Sequence, residues 1–266
     1  MPAPAVPTRL RAHRWAWWLL AGLVLGLLLS MAWGARSVYQ QREQRYHHQM
    51  EGGLRAISLL QVRNVADWRR QHIADAAALT DDGLFAQAAA RWHAAPSEAL
   101  QEPLRERLRS FVEHGGYSAA FWVDAQGALR LRPQGALQGT LASPEQQALR
   151  QALAQAEPVA VELHRDAAFA FAIFGVLAPV FDGDTPLGAV WLVSDARTQL
   201  FPQVESWPSA SRSAESLLVQ RDGDELVYVS PLRHRSDAPL SLRQAIVPGR
   251  DVVVQAVAGA RGVVYG

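Results

Sequence analysis

The sequence predicts an α+β protein. An N-terminal transmembrane helix and a long stalk helix precede two consecutive antiparallel-sheet units, the second of them incomplete. Three observations predict this. A charge-free apolar run, "WAWWLLAGLVLGLLLSMAWG", fills residues 15–34. Leu54, Ile57, Val65, Trp68, Ala76 and Leu79 then recur with an eleven-residue period. From residue 117 onward the apolar period shortens to two, and short strand-like runs are separated by Asp/Gly-rich turns.

The apolar run is about 20 residues, the length a helix needs to cross a bilayer. Trp15, Trp17, Trp18 and Trp33 lie near its two ends, where amphipathic rings favour the headgroup level. Arg9, Arg11, His13 and Arg14 precede it, so residues 1–14 read as a basic tail held in the cytoplasm and the main body as periplasmic. The small residues around Ala32 and Gly34 also suit a cleaved signal peptide. The length of the run favours an uncleaved anchor, because a signal h-region has only about 7–15 apolar residues.

Residues 35–79 form the expected stalk. An eleven-residue repeat is close to the natural pitch of a straight helix and imposes no left-handed supercoil. The stripe can therefore lie on a globular body, or pair with a second copy nearer the membrane. Asp81, Asp82 and Gly83 end this helix. A short helix around residues 85–92 follows, then one with Ser97 as N-cap that carries Leu100, Leu104, Leu108 and Phe111 on one face and stops at Gly115 and Gly116.

"YSAAFWV" (117–123) and "ALRLRP" (128–133) read as strands joined by the turn 124–127. Ser143 and Pro144 open a helix with Gln146 placed for a capping box. "VAVEL" (159–163) is a strand, residues 164–166 turn it back into the apolar run 167–181, residues 182–184 turn again, and 187–194 form the last strand. Helix, two strands, helix and three antiparallel strands is the order of a PAS-like unit, assigned to residues 80–203. A second such unit, 204–266, holds "ESLLVQ", the turn "RDGDE", "LVYVS" and a short helix at 252–258. Two strands and a short helix are too little to bury a core alone.

Composition narrows the chemistry. The 266 residues include no cysteine, which excludes thiol catalysis, disulfides and Cys-ligated metals. A net charge of +1 gives no basic surface for nucleic acid. The acidic turns at 124–127, 182–184 and 222–225 each separate two strands. None supplies the alternating oxygens over about twelve residues of a calcium loop, so each reads as a hairpin turn. His47 and His48 are adjacent and point about 100° apart on a helix, and no His-Glu-x-x-His spacing exists. No nucleophile elbow, P-loop or dinucleotide fingerprint is present. Neither catalytic residues, metal ligands nor a cofactor are therefore expected.

A small ligand remains. Trp122, Arg130, His164 and Asp195 lie on or beside predicted strands. Trp122 could stack on a ligand, Arg130 could clamp a carboxylate and Asp195 could receive an amine. The plainer readings are a core aromatic for Trp122 and an N-cap of the helix after 195 for Asp195.

"SWPSASRSAESLLVQRDGDELVYVSPLRHR" (206–235), followed by "GARGVVYG" (259–266), resembles the membrane-proximal unit of double-Cache sensor regions. Residues 78–201 match the membrane-distal unit of those regions in element order. The family fronts bacterial sensor histidine kinases, diguanylate cyclases and chemoreceptors. The resemblance implies the signal-sensing region of an inner-membrane receptor, a symmetric homodimer, a small-molecule ligand in the distal unit and no catalysis in these residues. It also implies a second membrane helix and an output module beyond residue 266. One motif is not matched: Arg91 and Trp92 are followed by His93, so the Tyr…Arg-x-Trp-aromatic…Tyr…Asp set of amino-acid-binding members is incomplete. An anchored extracytoplasmic hydrolase and a protein-binding scaffold are the competing classes.

Overall fold

A computed structural model describes residues 14–135, 139–206, 214–247, 249 and 251–259, with side chains from 17 onward except 41–49. The basic tail, residues 207–213 of the long motif, the segment 260–266 and the side chains of Trp15, His47 and His48 lie outside the described residues. Two compact units are formed, Met1–Ala56 and Ile57–Gly266.

Helix α1 (Arg14–Thr80) begins in the first unit. Its stretch Trp17–Gln40 has a mean hydropathy of 1.9, and none of its residues is buried among the described residues. By length and composition this is a helix able to cross a membrane. In the second unit α1 contributes Trp68, Ala76 and Leu79 to the core, as the eleven-residue stripe predicts. Asp82 caps α2 (Gly83–Ala94) by accepting from the Phe85 N–H, and α3 (Glu98–Glu113) buries Leu104 and Leu108.

The strands are β1 (Ala119–Asp124), β2 (Leu129–Leu131), β3 (Val159–Arg165), β4 (Ala172–Asp182) and β5 (Thr185–Asp195), with α4 (Ser143–Gln155) between β2 and β3. They form one antiparallel sheet in the order β2-β1-β5-β4-β3. Alternation along each strand gives the sheet two buried faces. Trp122, Phe174, Val176, Val190 and Leu192 meet α1, α2 and α3 on one face. Val123, Val161, Ile173, Leu177, Trp191 and Val193 meet Ala148, Leu149 and Ala152 of α4 on the other.

After α5 (Ala196–Gln199) and α6 (Phe201–Glu205) come β6 (Val219–Asp222), β7 (Glu225–Tyr228), β8 (Arg243–Ala245) and α7 (Val252–Val257). The three strands form a second antiparallel sheet, β6-β7-β8. This part does not stand alone: Leu218 and Leu240 pack on Ala172, Ala196, Leu200 and Phe201, and Arg165 donates to the Pro239 carbonyl and the Ser241 hydroxyl. The class is α+β, a long N-terminal helix followed by antiparallel sheet.

All three acidic turns are hairpin turns. Gly183 and Gly223 take positive φ, 56° and 61°, which is why glycine stands there. Four local readings need correction. The turn expected at 164–166 begins only after Arg165, because a bulge between Val161 and His164 shifts the register and lets His164 pair with Ile173. The capping box at Ser143 does not form. Ala142 is the N-cap, Ser143 is already helical, and the Gln146 side chain donates to the Leu141 carbonyl. The first strand starts at Ala119 rather than 117. The strand β8 was not expected; it pairs with β7, and Arg243 bridges Asp222 and Glu225 of the "RDGDE" turn, each at 2.9 Å.

Candidate functional site

The α4-covered face of the large sheet combines an apolar layer with polar groups that a core would not ordinarily contain. Cross-strand partners share a face, so the register lays this face out in rows. Val159, Leu177, Trp191 and Phe121 form one row across β3, β4, β5 and β1. His164, Ile173 and Asp195 form another across β3, β4 and β5. Trp191 lies 5.4 Å from Phe121 and 5.9 Å from Phe169 between ring centroids, and Phe169 lies 5.4 Å from Phe171. The Trp191 indole N–H is buried without a hydrogen-bond partner.

Glu145 enters this layer from the first turn of α4. A carboxylate at a helix N-terminus is favoured by the macrodipole, but such a residue normally faces water. Glu145 is 0% exposed. It occupies the first position of the stripe 145, 148, 149 and 152, the face α4 turns to the sheet. His164 Nε2 lies 2.6 Å from Glu145 Oε1. The two groups form an ion pair, and Glu145 Oε2 is left without a hydrogen-bond partner. The other ring nitrogen, Nδ1, lies 2.9 Å from the Glu162 carbonyl oxygen. Burial opposes a charged imidazole, yet the Glu145 carboxylate and the Glu162 carbonyl outweigh it and hold His164 above its ordinary range. Asp166, just beyond β3, completes a cluster in which one ligand-type atom from each of Glu145, His164 and Asp166 lies within 4.8 Å of the others.

The four residues singled out in the sequence are not gathered in one place. Trp122 is 2% exposed on the opposite face, where it meets Phe85 and Trp92. Arg130 is exposed on the edge strand β2 and pairs with Asp124 at 2.7 Å. His164 and Asp195 share a face and a row, with Ile173 between them. Asp195 is committed locally: it caps α5 by accepting from the Arg197 N–H and pairs with the Arg197 guanidinium at 2.7 Å. Glu145, Asp166 and Trp191 were missed. The available signal was a glutamate on the apolar stripe of α4.

A hollow of about 360 Å³ lies elsewhere, lined by Glu205, Glu215, Pro231, Arg233 and Ser236 among others. Its charged rim is exposed, and the Arg233 N–H donates to Glu215. The polar groups stranded in an apolar layer make the α4-covered face the stronger candidate.

No protein-family model matches the chain, and no curated protein does. Solved structures do. The ligand-binding domain of the Pseudomonas aeruginosa PAO1 amino-acid chemoreceptor PctC, in complex with GABA, matches with a TM-score of 0.50 and 19% identity over 82% of this chain and 85% of that one. The ligand-binding domain of the Pseudomonas fluorescens chemoreceptor CtaA, with L-serine, gives 0.48 and 14% over 73% and 77%. The sensory domain of the Campylobacter jejuni chemoreceptor Tlp3 gives 0.49 and 13% over 62% and 67%. The likeness to PctC shows a shared fold, that of a chemoreceptor ligand-binding domain.

Proposed function

We propose that this chain is the extracytoplasmic signal-sensing region of a bacterial membrane receptor, and that it takes a small ligand on the α4-covered face of the large sheet. The observation that carries this reading is a fully buried carboxylate, Glu145, whose Oε2 has no hydrogen-bond partner beside the His164 ion pair, together with the unpaired Trp191 Nε1. Buried polar groups in native proteins are nearly always satisfied, and an unsatisfied cluster marks a place where a partner belongs. The shared fold supports the reading, as does the exposed apolar stretch Trp17–Gln40.

In this proposal residues 80–203 form the membrane-distal sensing unit and 204–266 the membrane-proximal one. Residues 15–34 anchor the chain in the inner membrane with the basic tail in the cytoplasm. His164 contacts the ligand; Trp122 and Arg130 serve the core and the edge, and Asp195 anchors α5. The PctC domain, which shares this fold, holds GABA, which supports a small polar solute of similar size. The ligand favours one of two arrangements of the sensing unit, and the helix leading from the membrane relays the difference between paired copies to a kinase or cyclase output. A ligand shifts such a balance only by its differential affinity for the two arrangements.

The test is thermal unfolding of the full chain in detergent against a panel of amino acids, amines, organic acids and divalent cations. A ligand at 100 times its Kd adds about 2.7 kcal/mol, a rise of several degrees for a chain of this size. Replacement of His164 by Ala should abolish the rise. A panel that leaves the melting temperature unmoved throughout would remove direct sensing.

A further inference from the structure

The geometry points to a divalent-cation site at Glu145, His164 and Asp166, of the class that binds zinc. This deepens the sensing reading, on which its physiological meaning rests, while the binding itself stands on the local geometry.

The three residues come from α4, the end of β3 and the loop beyond it, so the site exists only once the fold has closed. One imidazole nitrogen and two carboxylates are a donor set suited to Zn²⁺, which uses His nitrogen and Asp/Glu oxygen in open sites with three protein ligands. Bonds of about 2.0–2.2 Å in a tetrahedral arrangement put neighbouring ligand atoms about 3.3–3.6 Å apart. One ligand-type atom from each of the three residues lies within 4.8 Å of the others, and Nε2 stands 2.6 Å from Oε1.

Two further observations concern the ligands themselves. His164 Nδ1 faces the Glu162 carbonyl at 2.9 Å, the outer-sphere contact that puts the proton on Nδ1 and leaves the Nε2 lone pair for a metal. Glu145 is fully buried, and its Oε2 has no donor at all. A proton shared between Nε2 and Oε1 would not serve that second oxygen; a cation bound by the carboxylate would. Once the metal takes the Nε2 lone pair the imidazole is neutral, and two carboxylates with M²⁺ sum to zero charge. The fourth coordination position stays open to water or to a donor atom of a small solute.

The full chain, stripped with EDTA in detergent and carrying no affinity tag, is titrated with ZnCl₂, with CaCl₂ and MgCl₂ as controls. Dialysis with metal analysis should find one zinc per chain at this site, and Co²⁺ should develop the visible absorption of a low-coordinate N/O site. Glu145→Gln, His164→Ala and Asp166→Asn should each weaken binding at least about tenfold, the loss that even outer-sphere changes produce. Asp166→Asn is the safeguard, because this half-buried loop position tolerates the change; circular dichroism checks that each variant is folded. Zinc binding that survives His164→Ala and Asp166→Asn would overturn the site, as would no zinc bound by wild type. If zinc fails but a metabolite still raises the melting temperature, the cation site falls and sensing stands. If the metabolite panel and zinc both fail, both fall.

Discussion

Gly175 stands where the Trp191 ring needs room. A Cβ at that position would sit 2.6 Å from the indole Nε1, closer than a carbon can approach. The ring in turn forms part of the aromatic wall with Phe121 and Phe169, so a backbone requirement on β4 sets the shape of the α4-covered layer. Gly175→Ala should therefore push Trp191 off its seat and cost about 1–3 kcal/mol, the usual penalty of overpacking. Urea denaturation reads the loss, and a shift in tryptophan emission reports the displaced ring. Glu145 is the opposite kind of residue, a charge that packing would have excluded. Its position on the stripe of Ala148, Leu149 and Ala152 could be read in the sequence, but a lone glutamate in a first helical turn is usually a dipole partner in water. Only the layer beneath it reveals it as buried.

At the scale of elements, the tight turns are the most legible, because they are decided by a few neighbouring residues. The Gly183 and Gly223 hairpins are of this kind. The short helix α7 is legible as well, and its N-cap Asp251 accepts from the Val253 and Val254 N–H groups and from the Gln244 side chain. The Gln244 amide and then the backbone N–H of Val253 hold the Asp251 carboxyl below its ordinary value of 3.8. A depressed carboxyl contributes stability that is complete above the unfolded value and lost as pH falls through the folded one. Amide exchange in α7 should thus be faster in Asp251→Ala than in wild type at pH 7, and the difference should close as pH drops below 3.8. Elements built from distant partners were read less well. The bulge that keeps His164 inside β3 is set by pairing with β4, and β8 is a strand because β7 offers it an edge.

For the whole molecule, the segment Trp17–Gln40 is left bare by the described residues: Leu23 is 69% and Leu27 60% exposed. By length and composition it suits the apolar interior of a bilayer. Leu23→Arg with Leu27→Arg should each cost about 2.5–3.5 kcal/mol of insertion and move the chain from the membrane fraction to the soluble one. Alkaline extraction followed by immunoblotting measures this; retention of the double variant in membranes would show that another part of the chain holds it there. Beyond α1, the second sheet leans on the first through Leu218 and Leu240, and Arg165 of β3 reaches Pro239 and Ser241. A change at the His164 end of β3 is therefore one residue away from the contact between the two sheets, a short route from the candidate ligand site toward the second sheet.

The sequence by itself determined the apolar anchor-length run, the part of the α1 stripe that packs (Val65, Trp68, Ala76 and Leu79), the helix-to-strand order and the three hairpins. Each of these depends on periodicity or on the backbone preferences of adjacent residues, so it can be read from a short window. The tertiary structure alone decided which polar side chains meet. It set Trp122 against Phe85 and Trp92 in the α1-side core and left Arg130 with Asp124 at an edge, whereas the Asp195 cap of α5 is local and could be read from the sequence. It also brought Glu145, some nineteen positions away in the chain, against His164. That meeting requires α4 to fold across the sheet and β3 to slip by a bulge. Neither requirement is local, because both are satisfied by long-range burial and strand pairing.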